Sequence, residues 1–479
     1  MFNRNKFIYD SGFSYSPSGA GSIPVIAIFD IGKTNKKLFL FDEQYQVVFE
    51  TSTTLPETVD EDGDACEDIA ALTAWIKDAG LQVLNNTAFS IKAMNFSTYG
   101  ASFVYVNEEG KALTPLYNYL KPFPPTLKEK FYSDYGGEEN FSVVTASPVL
   151  GSLNSGMQLY RLKYEQPEIF KQIKYALHLP QYISYLITNN TCSDITSIGC
   201  HTNLWNFQTN HYHDWVINEG VAEKLAPVLE GTTTVSFKSN ANEIQCGIGL
   251  HDSSAALIPY LINFHEPFVL ISTGTWCISL NPFNNVPLTA HELQNDCLCY
   301  MSYHAKPVKA SRLFAGYEHE ETVKKFAAHF NVEAGYYKTV LFDASLIKSV
   351  EQLQQNYNVA VGINVSAFAS RDLNAFNSYK EAYHQFMYDI IMQQKTSTSF
   401  ILNKEVTRIF VDGGFSKNAV YMNLLATAFP EVEVFAASIP QSTARGAALA
   451  IHNAWNNKPV PSDLIELKYF KPLPQAVTA

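Results

Sequence analysis

The sequence is poor in cysteine, in long apolar runs and in positive charge, and each shortage excludes a class of protein. Seven cysteines are scattered over 479 residues; this odd number does not suit a disulfide framework and is typical of reduced cytoplasmic thiols. No apolar run reaches the roughly 18 residues that a membrane-spanning helix needs. The formal net charge is −12, and such a surface repels nucleic acid and anionic lipid.

Two further shortages concern metal binding and targeting. Cys297 and Cys299 have no second Cys/His pair at finger spacing, so they do not suit a zinc site. Residues 1–22 lack the continuous apolar stretch of a secretory signal, and we expect a flexible N-terminal extension there. The 46% of apolar residues is nevertheless ample for buried cores, and the chain length favours two large α/β domains.

Two strand–turn–strand units lie far apart in the chain and indicate two related halves. Val25–Asp30 is followed by a Gly-Lys turn and by Lys37–Asp42, and Phe268–Ser272 is followed by a Thr-Gly-Thr turn and by Trp276–Leu280. Strands that alternate with helices predict α/β domains with ligands at the glycine turns. We place the boundary near residues 258–266, which gives domains at 23–262 and 263–479.

Helical spacing of apolar residues predicts several long helices between these strands. Residues 56–68 are predicted to form an acidic loop. Residues 121–156 are rich in Pro, Gly and aromatic residues and are predicted to be irregular. The predicted helices are Ile69–Leu84, Leu159–Phe170, Pro180–Ile187, Tyr379–Gln394, Asn418–Ala428 and Thr443–Trp455.

The turn from Asp30 to Asn35 has the composition of a phosphate-binding hairpin. Gly32 allows close backbone approach to a phosphate, and Thr34 and Asn35 offer donors. Asp30 would meet the phosphate through Mg²⁺, which removes the repulsion. An ordinary hairpin turn with a solvated Asp remains the alternative. A P-loop over residues 27–34 is disfavoured because its intervening residues are mostly large and apolar.

Two later glycine turns repeat this logic. Ser272-Thr-Gly-Thr275 places a glycine between hydroxyls that would wrap a second phosphate edge. Asp412-Gly-Gly-Phe-Ser-Lys-Asn418 lies between a strand and a helix, and its paired glycines allow close packing of a flat ligand such as adenine. Ser416 and Asn418 are candidate caps of that helix. Each turn, taken alone, is also explained as an ordinary connection.

Asp252 is the candidate base of the sequence. Glycines precede it and small residues follow it in Gly247-Ile-Gly-Leu-His-Asp-Ser-Ser-Ala-Ala256, which predicts the start of a tightly packed helix. A carboxylate there can accept a proton from a substrate hydroxyl. The alternative is that Asp252 only caps the helix. His251 is expected to be structural or orienting.

Together these four segments resemble the FGGY carbohydrate kinases of the actin/hexokinase/Hsp70 superfamily, over about residues 25–455. The resemblance implies an α/β protein of two actin-like (ribonuclease H-like) domains with an interdomain cleft. It also implies ATP and Mg²⁺ as cofactors and a sugar as the acceptor. His251-Asp252 and Gly274-Thr-Trp276 are most similar to the rhamnulokinase and fuculokinase branch.

The resemblance also implies roles for individual residues. Asp252 would be the catalytic base, and Asp30 would hold Mg²⁺ through water. The sugar would contact Thr98, Tyr99, Asn118, Lys121, His251 and Asp252. The nucleotide would contact Asp30, Gly32, Lys33, Thr34, Asn35, Thr273, Gly274, Thr275, Gly413, Gly414, Ser416 and Asn418.

The expected function is ATP-dependent phosphorylation of a (deoxy)ketose such as L-rhamnulose or L-fuculose, in the cytoplasm and without a nucleic-acid or membrane partner. Xylulose, ribulose and glycerol remain alternative acceptors, and a non-catalytic actin-like ATP-binding protein remains an alternative function. Lys33 and Gln441 depart from the family pattern, which leaves their effect on nucleotide binding open. A homodimer is also left open.

Overall fold

The computed structural model describes residues 22–239, 242–347 and 366–473. They form two α/β halves, each built around a seven-stranded sheet. Apart from residue 22, the predicted N-terminal extension lies outside the described residues. The strands of the first sheet fall between residues 23 and 251 and those of the second between residues 268 and 470.

The first sheet is centred on Ile23–Ile31, an apolar strand whose side chains are buried over most of its length. This strand pairs in parallel with Phe89–Thr98 and antiparallel with Lys36–Asp42. The short strand Leu250–His251 also pairs in parallel with Phe89–Thr98. Apart from Leu250–His251, the strands of the sheet lie in the order Thr234–Ser239, Asn242–Gly247, Phe89–Thr98, Ile23–Ile31, Lys36–Asp42 and Val47–Thr53.

The second sheet repeats this arrangement. Its central strand Phe268–Thr273 pairs antiparallel with Cys277–Asn281 and in parallel with Arg408–Gly413. The two predicted strand–turn–strand units therefore occupy equivalent places in the two halves. The full order is Cys297–Met301, Pro307–Leu313, Cys277–Asn281, Phe268–Thr273, Arg408–Gly413, Glu433–Ser438 and Glu466–Phe470.

The helices pack against these sheets and connect their strands. Among the described residues, no helix combines the length and the apolar character that crossing a bilayer requires. All seven cysteines lie in the described part of the chain and are buried and unpaired. The α-helices that lie wholly within the described residues are Ile69–Leu84, Pro125–Asp134, Glu138–Thr145, Ser155–Glu165, Pro167–Gln172, Leu179–Thr188, Ile195–Ile198, Asp214–Asn218, Asp252–Asn263, Ala290–Gln294, Ala315–His329, Tyr379–Ser399, Ala419–Ala428, Ser442–Ala450 and His452–Trp455.

The prediction that residues 121–156 are irregular is wrong. The segment contains the helices Pro125–Asp134 and Glu138–Thr145, which are separated by a glycine pair with positive φ at Gly136 and Gly137. Its aromatic residues do not disrupt helices; they are the buried faces of these helices and pack into one aromatic cluster of the first half.

Three other predicted boundaries are corrected. The helix predicted at Leu159–Phe170 is two helices, because Pro167 cannot continue the first and instead begins the second. The helix predicted at Thr443–Trp455 is interrupted at Ile451. Residues 56–68, predicted as a loop, contain a short hairpin of Glu57–Val59 and Ala65–Glu67.

Two helices join the halves at backbone contact. Asp252–Asn263 follows the first sheet, and Ser442–Ala450 belongs to the second half. Gly446 lies where the helices meet, and a Cβ atom built on it would lie 1.8 Å from the carbonyl oxygen of Ala255. The carbonyl of Ala447 also accepts a hydrogen bond of 2.8 Å from the amide of Asn95 in the first sheet. Only a glycine at position 446 permits the close approach of this helix to the carbonyl of Ala255.

We therefore expect Gly446→Ala to destabilise the protein. The added methyl meets a backbone oxygen that cannot rotate away, and overpacking of this kind costs about 1–3 kcal/mol. Thermal unfolding followed by circular dichroism measures the change. Gly335→Ala is the matched control, because a Cβ on Gly335 meets no atom within 4 Å. An unchanged unfolding midpoint for Gly446→Ala would contradict the close approach.

Candidate active site

Parallel strands bring the two candidate carboxylates to one edge of the first sheet. Asp30 is next to last on the strand Ile23–Ile31, and Asp252 directly follows Leu250–His251. Thr98, at the end of the strand between them, pairs with both Ile31 and His251. Because the carboxyl ends of parallel strands meet at the same edge, Asp30 and Asp252 lie together there.

Asp252 begins its helix and is held in a defined orientation. Its Oδ1 accepts a hydrogen bond of 2.6 Å from the N–H of Ser253 and lies 3.1 Å from Nε2 of His251. Burial raises the pKa of Asp252 to about 6, against the opposing hydrogen bonds from Ser253. Burial also lowers the pKa of His251 to about 4. At neutral pH the pair is therefore a carboxylate beside an uncharged imidazole.

Asp30 is the second partly buried carboxylate of this edge. Its Oδ2 accepts a hydrogen bond of 2.9 Å from Thr443, at the start of the helix Ser442–Ala450. Burial raises the pKa of Asp30 to about 6, with a further contribution from the charge of Asp252 and an opposing one from Thr443. Carboxylate oxygens are preferred ligands of Mg²⁺. A divalent cation beside Asp30 would offset its repulsion with Asp252, so this position fits the predicted Mg²⁺ site.

The hairpin turn after Asp30 is stabilised on its inner side by the buried side chain of Lys36. The N–H of Gly32 donates to the carbonyl of Asn35 at 2.9 Å. The ammonium group of Lys36 donates to the carbonyls of Gly32 and Lys33 at 3.2 and 2.9 Å. The turn's carbonyls are thus engaged inside the protein, while Thr34 and Asn35 are exposed. This leaves the exposed side of the turn rich in donors, as a phosphate ligand requires.

Glu67 connects that turn to the predicted sugar site. Its carboxylate accepts a hydrogen bond of 2.6 Å from Lys36 and one of 2.8 Å from the hydroxyl of Tyr99. Lys33 lies 3.2 Å from Glu57 and 3.9 Å from Glu67. Glu67 is not recognisable from the sequence, because a single acidic residue in an acidic stretch does not reveal its partners.

The two glycine turns of the second half form one unit. The hydroxyl of Thr273 donates to the carbonyl of Asp412 at 2.5 Å and accepts from the N–H of Phe415 at 2.9 Å. Gly413 has a φ of 87°, and a Cβ atom there would lie 1.9 Å from the carbonyl oxygen of Thr273. Gly413 and Gly414 are both exposed. The predicted adenine turn and the predicted second phosphate turn are therefore fixed to each other.

The structure assigns the predicted helix cap to one of the two candidates. Asn418 accepts hydrogen bonds of 3.0 Å from two N–H groups at the start of Ala419–Ala428. Its amide also donates to the hydroxyl of Tyr383 at 2.6 Å. Ser416 instead donates to the carbonyl of Gly413 at 2.8 Å. Asn418 is the cap, and Ser416 closes the glycine turn.

Gly316 is a residue of this region that sequence reasoning missed. It lies at the start of the helix Ala315–His329, and a Cβ atom there would lie 1.7 Å from the carbonyl oxygen of Gly274. The N–H of Tyr317 donates to the carbonyl of Thr275 at 3.0 Å. Gly274 and Thr275 are exposed, so a helix N-terminus supports the turn while its other side remains accessible. The Ala-Gly pair after a strand was the only available signal.

A cavity of about 390 Å³ opens between the halves at this edge. Its size lies within the range of about 300–1,000 Å³ that is usual for small-molecule sites. Thr98 does not line the cavity. Its hydroxyl instead donates to the carbonyl of Tyr99 at 2.9 Å. The first half contributes Tyr99, Tyr119, His201, His251, Asp252 and Ser253. The second half contributes Trp276, Ile278, Tyr300 and Arg312.

Two predicted sugar contacts do not line this cavity. Asn118 and Lys121 lie at a separate small cavity. The ammonium group of Lys121 forms an ion pair with buried Asp60 and lies 2.8 Å from Asp62 and 3.1 Å from Asp64. Within the described ranges, these three aspartates are the one group of at least three His, Cys, Asp or Glu residues with metal-binding spacing, and Lys121 lies among them. Lys121 thus stabilises the acidic loop that contains Asp60, Asp62 and Asp64.

The second-half wall of the cavity was not predicted. In the sequence, Trp276 is recognisable only as part of a family motif, although it immediately follows the phosphate turn. Arg312 and Tyr300 lie on strands whose alternating pattern does not distinguish a cavity wall from a sheet face. Their function depends on how the halves meet, which local sequence does not encode.

Comparison with known proteins agrees with this architecture. The family model for the N-terminal domain of the FGGY family of carbohydrate kinases matches residues 25–255, and that for the FGGY C-terminal domain matches residues 265–459. These matches flank the predicted boundary at 262/263, which itself stays a prediction.

Curated relatives are similar at low identity. A rhamnulokinase of Halalkalibacterium halodurans is 27% identical over 167 residues, which is 35% of this chain and 33% of that protein. The first curated relatives are thus matched over a third to a half of their length. A rhamnulokinase of Mannheimia succiniciproducens is 20% identical over 95% of this chain and 96% of its own length.

Solved structures share the fold over nearly the whole chain. A carbohydrate kinase from Novosphingobium aromaticivorans superposes with a TM-score of 0.77 at 22% identity, covering 95% of both chains. A ligand-bound xylulose kinase from Lactobacillus acidophilus gives 0.74 at 16% identity, covering 95% of this chain and 94% of its own. The predicted two-domain, actin-like α/β fold is confirmed. With both of its domains matched, the chain belongs to the FGGY family of carbohydrate kinases.

Proposed function

We propose that the protein transfers the γ-phosphoryl group of ATP to a primary hydroxyl of a (deoxy)ketose such as L-rhamnulose or L-fuculose. The observation that carries this proposal is the interdomain cavity, which is lined both by Asp252 of the first half and by Trp276, the residue that follows the glycine turn Thr273–Thr275. A base on one side and a phosphate-binding turn on the other is the arrangement that phosphoryl transfer to an alcohol needs.

The acceptor would lie between the aromatic walls of the cavity, with its reacting hydroxyl directed at Asp252. The carboxylate would accept the hydroxyl proton as the oxygen attacks the γ-phosphorus. Neutral His251 keeps Asp252 oriented without neutralising its charge. Phosphoryl transfer depends mainly on alignment and on charge stabilisation, and the N–H groups of the two exposed turns would supply donors to the phosphate oxygens.

The nucleotide would lie on the second half. Its base would pack on Gly413 and Gly414, which present no Cβ atoms, and its phosphates would lie between the turn at Gly32 and the turn at Gly274. Asp30, in the first half, would hold Mg²⁺ near the phosphates. When bound, Mg²⁺ supplies charge neutralisation at the phosphate oxygens. The buried, unpaired cysteines accord with a cytoplasmic enzyme.

The proposal predicts ADP release that depends on a sugar acceptor. A coupled ADP-release assay over ketoses, deoxyketoses, aldoses and polyols should give the highest kcat/KM with a deoxyketose. Xylulose, ribulose and glycerol belong in the same screen as alternative acceptors. ATP binding without turnover of any acceptor would contradict the proposal and favour a non-catalytic ATP-binding protein.

Asp252→Asn should lower kcat on the order of 10²–10⁴-fold, the usual contribution of a general base, while ATP binding persists. The wild-type rate should fall as the pH is lowered through about 6, because protonation of Asp252 removes the base. Steady-state kinetics and nucleotide titration measure the two effects. Asp463→Asn, at an exposed carboxylate, is the control. Unchanged sugar phosphorylation by Asp252→Asn would exclude Asp252 from this role.

The same substitution should stabilise the protein without ligand at neutral pH. The folded-state pKa of Asp252 is raised to about 6, so its contribution to stability is fully present below the unfolded pKa and is lost as the pH rises through about 6. Asn removes that loss. Because the Asp252 side chain is 34% exposed, we discount the shift to a gain on the order of 1 kcal/mol. Unfolding at about pH 7 should show the gain, and below about pH 4 the gain should vanish. A gain that is the same at both pH values would contradict the assignment.

A further inference from the structure

A buried carboxylate that the proposed mechanism does not use lies close to the strand that leads to the base. Asp194 is fully buried, at the end of a two-residue strand that pairs with Val228–Leu229. Its Oδ1 accepts hydrogen bonds from Thr196 and Ser197, which are uncharged. Its Oδ2 has no hydrogen-bond partner in the described part of the chain. Acidic side chains are rarely buried in this way, because the charged form loses its hydration.

A chain of hydrogen bonds with a fixed direction connects this carboxylate to the residue before the base. The N–H of His251 donates to the hydroxyl oxygen of Thr196 at 3.0 Å. Since an amide N–H can only donate, the hydroxyl accepts that bond and directs its own hydrogen to Oδ1 of Asp194. A charged acceptor strengthens the second bond, and bonds in such a chain polarise one another. The carboxylate therefore strengthens the contact between Thr196 and the backbone of His251.

We propose that Thr196 and Asp194 are positioning residues for phosphoryl transfer, which fix the Asp252 carboxylate in place through the backbone of His251. The inference rests on the proposed function and adds to it two residues that do not touch the substrate. Thr196 and Asp194 are both fully buried, and neither lines the interdomain cavity. Their effect on the reaction is therefore exerted through the chain that carries Asp252.

The backbone of His251 is where the chain passes from the sheet into the helix that Asp252 begins. His251 is the N-cap of this helix, and its side chain makes no capping hydrogen bond. The strand Leu250–His251 is held by parallel pairing with Phe89–Thr98, and the N–H of His251 is held by Thr196. Loss of the second contact would free the peptide group that precedes the base. A misplacement of about 1 Å in a reacting group can lower a rate on the order of 100-fold.

A purely structural function of Asp194 would be to cap the helix Ile195–Ile198. Its Oδ1 does accept a hydrogen bond of 3.0 Å from the N–H of Ser197. Asn caps helices about as well as Asp, so Asp194→Asn retains the cap while it removes the charge from the chain to His251. Thr196→Val removes the hydroxyl at a similar side-chain shape and leaves the capping carboxylate in place. The two substitutions therefore separate positioning of the base from helix capping.

Steady-state kinetics with the best acceptor of the wild type test the inference. An assay at about pH 8 keeps Asp194 and Asp252 mostly ionised, since burial raises their pKa values to about 7 and about 6. Thr196→Val should lower kcat about 10- to 100-fold. The KM values for acceptor and ATP should stay within about 3-fold, because alignment in the transition state is lost while ground-state binding is kept.

Two milder variants are expected to follow the strength of the hydrogen-bonded chain. Thr196→Ser retains the hydroxyl and should keep kcat within about 3-fold of the wild type. Asp194→Asn replaces a charged acceptor with a neutral one and should lower kcat about 3- to 10-fold. This order of effects, with rescue by serine, is not expected if Thr196 only fills space.

Thr398→Val is the matched control for loss of a buried hydroxyl. Thr398 is also fully buried, and its hydroxyl is hydrogen-bonded to Ser279 and to the side-chain amide of Gln394, in the second half. We expect kcat of this variant to equal that of the wild type. Unfolding midpoints establish that each variant is folded, so a fall in kcat specific to Thr196→Val reports on the base.

Several outcomes would overturn the inference. They are unchanged kcat in folded Thr196→Val or Asp194→Asn, a loss of kcat that Thr196→Ser shares in full, a change confined to KM, and an equal loss in Thr398→Val. Each of these outcomes requires an active wild type and leaves the kinase function intact. A wild type that releases no ADP with any acceptor would instead contradict the kinase function, and the positioning role with it, so the two failures are distinguishable.

Discussion

The site depends on one close approach, between the helix that begins at Asp252 and the helix Ser442–Ala450. At Gly446 the second helix has no side chain to separate its backbone from the carbonyl of Ala255. The same helix donates a hydrogen bond to Asp30 through Thr443 and accepts one from Asn95 through the carbonyl of Ala447. One helix of the second half thus contacts the first half at three points, from Asp30 at the carboxylate-bearing edge to Asn95 within the sheet. Backbone contact resists adjustment more than side-chain contact does, so the relative positions of the two sheets are set here.

That approach partly buries two acidic groups near each other, which is electrostatically unfavourable without a ligand. The pKa values of Asp30 and Asp252 are both raised to about 6, mainly by burial. A base with a pKa close to the working pH combines a deprotonated fraction with useful proton affinity. The same burial makes the edge a favourable place for a cation. Uncharged His251 is consistent with this balance, because a charged imidazole beside Asp252 would lower the basicity of the carboxylate.

The sequence allowed the turns to be located, since their signals are local. Gly32, Gly274 and Gly413 follow apolar strands, and small residues after Asp252 indicate a packed helix start, so the two halves and the proposed base were predicted directly. The cavity wall of Trp276, Tyr300 and Arg312 was not, because these residues come from three separate segments of the second half and line a cavity only when the first half packs against them. Lys121 illustrates the same limit: its position near the sugar motifs suggested a ligand, whereas three aspartates of a preceding loop surround it. The aromatic residues of 121–156 do not by themselves distinguish an irregular segment from helices, because composition does not show which face of a helix is buried.

The division of the cavity between the halves has a consequence for catalysis. Asp252 belongs to the first half, whereas Trp276 and Arg312 continue from the segments that form the phosphate turn of the second. An acceptor that contacts both walls would therefore form part of the interface between the halves. Asp252 remains 34% exposed without it, and a bound sugar would replace the water that otherwise reaches the carboxylate. Water is itself a competing acceptor for the phosphoryl group, so an enzyme whose cleft is completed by the sugar would limit wasteful hydrolysis of ATP.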